Sequence, residues 1–292
     1  MMKPAVVTAL FVQTFLIGPA VLPAFEWPVR DPLLVSTFGE SRDGQFHTGL
    51  DLTGEGQSVY PIEIGETVFS FEEGELGTEL PSGLGSFIVL EHDGGLRSSY
   101  SHLEAGSVER GVSSLSPADV IGVIGSTGYA EKPHLHLQIT DRELEQLVNP
   151  LLVLPQEEDR AAPVIRNVSL LYGNELVPVT DGATVPAGDA VLVAELYDQN
   201  SITGTRVTAP YKILVLHNGL ETFQLTFDAL ALSGDRLVFS PSNEIDFSAL
   251  YHTDTMMKLG KLTLITGKAQ LEISAADFRQ NRSVASFAVT VR

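Results

Sequence analysis

The chain has 292 residues, 43% hydrophobic and 19% charged, the composition of a folded globular protein rather than a disordered one. Its formal net charge of -19, from 37 acidic and 18 basic residues, argues against nucleic acid or an anionic membrane surface as partner. The absence of cysteine excludes disulfides, thiolate metal sites, a cysteine nucleophile and a lipid anchor on an N-terminal cysteine.

The first element is a secretion signal by pattern. Met1-Met2-Lys3 gives a short positive start, residues 5–17 are mostly apolar, and Gly18, Pro19 and Pro23 break the helix. Small residues Ala20 and Ala24 are candidate last residues, so residues 1–24 are expected to be a signal peptide. The apolar run falls short of the ~20 residues that a membrane span needs. No later stretch could span either, so the mature chain is expected to be secreted or periplasmic, with no membrane span.

Residues 25–29 read as an extended lead-in, and from there to about residue 142 the pattern is β. Val59-Tyr60-Pro61, Thr67-Val68-Phe69-Ser70-Phe71 and Phe87-Ile88-Val89-Leu90-Glu91 are short β-branched or aromatic runs punctuated by glycine. Asp93-Gly94-Gly95 predicts a hairpin turn between residues 88–92 and 96–102, with His92 as a solvated residue beside it. Residues 120–125 read as a buried strand and 126–132 as a loop.

The stretch that follows, Pro133-His134-Leu135-His136-Leu137-Gln138-Ile139, places two histidines at i and i+2 in an apolar run. On a strand such residues point to one face, so both imidazoles aim at one spot. Imidazole is the commonest metal ligand in proteins. Upstream, His47 and Asp51 flank Gly49, which lets the backbone bend so that both side chains reach one ion, and His102 lies between in Tyr100-Ser101-His102-Leu103. A catalytic zinc takes three protein ligands and leaves one position for water. His47, Asp51 and one histidine of the pair supply that number. The other histidine and His102 are left to polarise the water or to bind a tetrahedral oxyanion.

These motifs resemble the lysostaphin-type, or LytM-type, zinc metallopeptidases that cut peptidoglycan peptides. The family pattern is His-x-x-x-Asp, then Tyr-x-His-Leu, then His-x-His, here His47…Asp51, Tyr100…Leu103 and His134…His136. Val59-Tyr60-Pro61 and Gly122-Val123-Ile124-Gly125-Ser126-Thr127-Gly128 are similar to the framing motifs of the same family. The resemblance covers roughly residues 26–155. It implies that His47, Asp51 and His136 bind Zn2+ and that His102 and His134 are catalytic. It implies an all-β fold, an antiparallel peptidase domain of the duplicated hybrid motif type with a groove floored by the metal site. Lys132 and Gln138 stand where the family usually has glycine and glutamate, and the loop 129–132 lacks its usual Ser-Thr. None of these changes removes a ligand; they bear on substrate preference.

Asn149-Pro150 closes this region, giving an expected peptidase domain at 25–155. Residues 156–163 are polar and end in proline, hence a linker. Predicted strands follow at Val164–Tyr172, 190–197, 211–217, 221–227, 261–265, 270–274 and 284–291, with Asn218-Gly219 as a hairpin signal. That count predicts a β-sandwich over 164–292, and residues 276–283 resemble the last turn of bacterial immunoglobulin-like domains. His217 and His252 carry no ligand pattern and read as structural. The expected whole is an exported zinc metalloendopeptidase acting on peptide bonds in peptidoglycan stems or cross-bridges. A cell-envelope protein is the expected partner of its C-terminal domain, and residues 26–155 alone are expected to bind zinc and cut a small soluble peptide. The alternative is a non-catalytic LytM-type module that binds cell wall or activates a wall hydrolase; such modules usually lose zinc ligands, and this chain keeps them.

Overall fold

A period of two in side-chain character shapes the first half. In Ser86–His92, Ile88 and Leu90 are fully buried while Phe87, Val89 and Glu91 face the other side. The computed structural model describes residues 25–74, 82–156, 158–199, 208–239 and 244–292, and the expected signal peptide lies outside them. Among the described residues the largest assembly is an 11-stranded antiparallel sheet. Its centre runs Leu135–Asp141, Leu96–Leu103, Ser86–His92, Gly65–Phe71. Leu50–Leu52 pairs with the start of Leu135–Asp141, and Leu34–Ser36 pairs with Leu50–Leu52. The predicted hairpin is present, with Gly94 and Gly95 both at positive φ (80° and 82°) in the turn. The expected strand over 120–125 is shorter, Gly122–Val123, although Ile121 and Ile124 are buried as foreseen. The lead-in docks as expected: Glu26 N–H donates to Ile62 O at 2.7 Å.

His92 departs from its expected place. It is 4% exposed, with Nδ1 3.0 Å from the Ile64 carbonyl and Nε2 2.7 Å from Ser98 Oγ. The turn itself is exposed, but His92 is the last residue of its strand and its side chain falls on the core face, in phase with Ile88 and Leu90.

The second half holds two further sheets. One joins Glu175–Pro178, Val164–Tyr172, Gly188–Tyr197 and Met256–Leu264. The other joins Thr184–Val185, Arg282–Val291, Gly267–Ala276, Lys212–His217 and Leu220–Thr226, antiparallel except for the first pair. Leu170, Leu192 and Ala194 from one sheet share a core with Ile213, Val215 and Ile273 from the other. Asn218 and Gly219 both have positive φ (52° and 79°), as a type I′ hairpin requires.

The large sheet crosses the expected boundary. Ala229–Ser233 pairs with Gln146–Val148, and Arg236–Phe239 and Ile245–Asp246 extend it. These short strands have no strong period of their own, and they are held by pairing to a strand over 80 residues earlier. Aromatic packing crosses too. Phe38 and Phe46, from the first half, belong to the C-terminal core, and Phe278 packs against the core of the first half.

Candidate metal centre

The donors converge because of strand register. His136 lies directly opposite Asp51 on one side and Ser101 on the other, so the three side chains share a face. His47 follows the short strand Gln45–Phe46 and is buried. Its Nδ1 lies 2.9 Å from the Thr37 carbonyl, which can only accept, so Nδ1 carries the proton and Nε2 keeps its lone pair. That Nε2 is 3.1 Å from Asp51 Oδ1 and 3.1 Å from His136 Nδ1, and His136 Nδ1 is 2.8 Å from the same oxygen. An acceptor-only carboxylate, a lone pair and a second imidazole nitrogen form one buried triangle. Tetrahedral zinc with bonds of about 2.0–2.2 Å holds its donors roughly 3.3 Å apart. The donor set and its size therefore fit the ion.

Gly49 is needed for a reason other than bending. A Cβ there would come within 2.3 Å of the Leu137 carbonyl and 3.0 Å of the His136 ring, and its φ is not positive. Close approach of two strands around the ligand is what excludes a side chain.

The other two histidines face the triangle. His134 Nδ1 is 2.8 Å from the Lys132 carbonyl, and its Nε2 is 3.7 Å from Asp51 Oδ2. His102 Nδ1 is 2.9 Å from the Thr127 carbonyl, and its ring centre is 4.7 Å from that of His134. Each carbonyl fixes a tautomer with the lone pair on Nε2. Regular alternation would put His102 beside Tyr100, which is fully buried in the core. A bulge intervenes: from Ser86↔Leu103 to Ile88↔Tyr100, two steps on one strand meet three on the other. His102 sits in it at φ 63°, which turns its ring to the metal face.

Burial pushes His102 down to about 4, against the Thr127 carbonyl, so it is neutral at pH 7 and able to accept a proton. Burial likewise lowers His136. Burial alone would raise Asp51, but the hydrogen bond from His136 Nδ1 acts against it, and the carboxyl stays below the usual range.

Several participants were given no role at the site by the sequence. Arg42 Nη2 donates to Asp51 Oδ2 at 2.6 Å, occupying the oxygen that points away from the triangle. Ser36 Oγ lies 3.2 Å from His47 Nδ1. Thr127 belongs to a loop read as a framing motif; its hydroxyl donates to Leu103 O at 2.7 Å and accepts from Ser86 N–H at 2.8 Å, which fixes the carbonyl that orients His102. Gln138 Oε1 accepts from the Thr48 hydroxyl at 2.9 Å. His217 and His252 lie outside the cluster.

A histidine–carboxylate triangle on an antiparallel sheet, with two further histidines over it, is the site of a metal-dependent hydrolase. The sequence profile described as "Peptidase family M23" matches residues 45–150, and a second profile without a functional description matches 162–292. The DD-carboxypeptidase/endopeptidase Mpg of Neisseria meningitidis serogroup B is 34% identical over 124 residues, 40% of this chain and 26% of that protein. An uncharacterized protein of Treponema pallidum is 28% identical over 125 residues, 39% of this chain and 85% of that one. Among solved structures, the catalytic domain of lysostaphin from Staphylococcus simulans is 27% identical with a TM-score of 0.35, covering 41% of this chain and 90% of that domain. The chain thus spans about a quarter of the Neisseria enzyme's length. Residues 45–150 are an M23 metallopeptidase domain with the His-x-x-x-Asp…His zinc ligand set intact, and His47, Asp51 and His136 form that set.

Proposed function

We propose that this protein is an exported zinc endopeptidase that hydrolyses peptide bonds in peptidoglycan stems or cross-bridges. The observation that carries the proposal is the pairing of an intact ligand triangle with two further histidines whose Nδ1 atoms are engaged by backbone carbonyls, which turns each Nε2 toward the site. Zinc, when bound, supplies a Lewis acid that lowers the pKa of water and polarises a carbonyl. His102 and His134 do the proton work. One accepts a proton from the attacking water through Nε2; the other, charged by uptake of a proton, donates to the developing oxyanion or to the leaving amine. Arg42 holds one oxygen of Asp51 so that the other remains for the metal.

The proposal also includes a signal peptide at 1–24, cleaved on export to the periplasm or beyond, and a division into peptidase (25–155), linker (156–163) and immunoglobulin-like sandwich (164–292). The apolar run at 5–17 and the two C-terminal sheets with one core support these parts. Among the described residues no helix is long and apolar enough to cross a membrane. The C-terminal sheets leave outer faces for a cell-envelope protein. The test is digestion of intact cell walls by the zinc-loaded protein, with mass measurement of released peptides. New peptide ends that disappear in the His102→Ala variant are expected. Walls left intact by both proteins would overturn the reading in favour of a binding module.

A further inference from the structure

His47 closes a turn, residues 37–47, whose apolar side chains do not join the core of their own half. Phe38 is 1% exposed and Phe46, immediately before the ligand, 6%, and both lie in the C-terminal core. The Phe46 ring centre is 4.9 Å from Phe239, 5.5 Å from Phe247 and 6.2 Å from Tyr251. The fit is tight at Gly39 as well. With φ 83°, it has room for no side chain, since a Cβ would meet Phe227 and Phe239 at 2.6 Å.

Polar ties run between the same partners. Tyr251 Oη donates to Gly39 O at 2.9 Å, Ala209 N–H donates to Thr37 Oγ1 at 3.3 Å, and Ser41 Oγ donates to Asp254 Oδ1 at 2.8 Å. The residues held in this way are the ones that hold His47. The Thr37 carbonyl takes the His47 Nδ1–H, Gly39 N–H donates to His47 O at 2.7 Å, and His47 N–H donates to Glu40 O at 2.8 Å. A path of direct contacts thus leads from Tyr251 and Ala209 through Gly39 and Thr37 to the ring that faces the metal.

We infer that the C-terminal half is a constituent of the metal centre, and that Tyr251 is a positioning residue that keeps His47 Nε2 in the donor triangle. The physical ground is that outer-shell groups fix ligand orientation, and their loss typically costs 10–100-fold in metal affinity. The inference rests on zinc at this triangle but not on peptide cleavage, so it stands or falls apart from the substrate proposal.

The experiment uses the full chain loaded with zinc, and in parallel with cobalt as a spectroscopic probe. Tyr251→Phe keeps the ring and removes only the hydroxyl, which donates to Gly39 O and also meets the Ser41 backbone, both within the turn. Phe239→Leu thins the aromatic packing on Phe46. Val289→Ala lowers stability from the five-stranded sheet, away from the turn, and serves as control. Zinc release to excess chelator is expected about tenfold faster in Tyr251→Phe and in Phe239→Leu, with a shifted cobalt absorption band. Val289→Ala should match the wild type in both readouts at a comparable loss of thermal stability. Equal release from Tyr251→Phe and wild type, or release that merely tracks the melting temperature across all three variants, would overturn the inference. A wild-type chain that binds no zinc would remove it together with the metal centre.

Discussion

Three carbonyls, those of Thr37, Lys132 and Thr127, set the chemistry of three histidines. Each takes an Nδ1–H and so turns Nε2 toward the site, where one histidine gives it to the metal triangle and, in the proposed mechanism, two use it for proton transfer. The roles separate under substitution. His136→Ala removes a corner of the triangle and is expected to abolish zinc binding, while His217→Ala retains one zinc per chain; metal analysis of the two proteins decides it. His102 is not a corner. His102→Ala is expected to keep zinc and lose about 10²–10⁴-fold in turnover, the usual range for a general acid or base. A rate within threefold of wild type would remove His102 from the mechanism.

At the scale of elements, the strands Ser86–His92 and Leu96–Leu103 work with both faces. The outer face carries Ser101 and, through the bulge, His102; the inner face carries Ile88, Leu90, Tyr100 and His92. Ser98 Oγ lies between His92 Nε2 and the Tyr100 hydroxyl, which accepts from Ile62 N–H at 2.8 Å. This buried polar chain has a pH signature. Burial lowers the His92 pKa, with the Ile64 carbonyl acting in the opposite sense. The unfolded chain takes up that proton near the ordinary value of about 6.5, the folded chain only at lower pH. Between the two the unfolded state holds more protons, so the contribution of His92 is complete above about 6.5 and is lost as pH falls toward the folded value. Thermal unfolding of the zinc-loaded protein from pH 7.5 to 5.5 should show a smaller decline for His92→Gln than for wild type. Parallel declines would mean that other groups carry the acid sensitivity.

For the whole molecule, the division near residue 160 is one of sequence more than of packing. Ala229–Ser233 completes an edge of the large sheet, Phe38 and Phe46 are buried by the second half, and Phe278 is lent to the first. A chain ending at residue 155 would bare two phenylalanines and the free edge of Gln146–Val148, both aggregation hazards. The expected outcome is an insoluble or zinc-poor fragment. A soluble fragment with full zinc content and wild-type zinc release would show that the first half folds by itself and would contradict the packing argument.

His47, Asp51, His134 and His136 were legible as one cluster because their geometry is local. A spacing of two on a strand gives a shared face, and His-x-x-x-Asp around a glycine brings two ligands within one turn and strand of each other. The strand runs and the Asn218-Gly219 hairpin were legible for the same reason, since period and turn chemistry act between neighbours in sequence. Tertiary structure decided what depends on distant pairing. Alternation predicts Tyr100 and His102 on one side, and only a bulge against Ser86–His92 parts them. His92 looks exposed beside its turn, and the core face of its strand buries it. Arg42 and Tyr251 have no motif of their own, and the motif around Thr127 does not give its role, because what defines all three is the atom they meet across the fold: the second oxygen of Asp51, the carbonyl of Gly39 two residues after the peptide that orients His47, and the ring of His102.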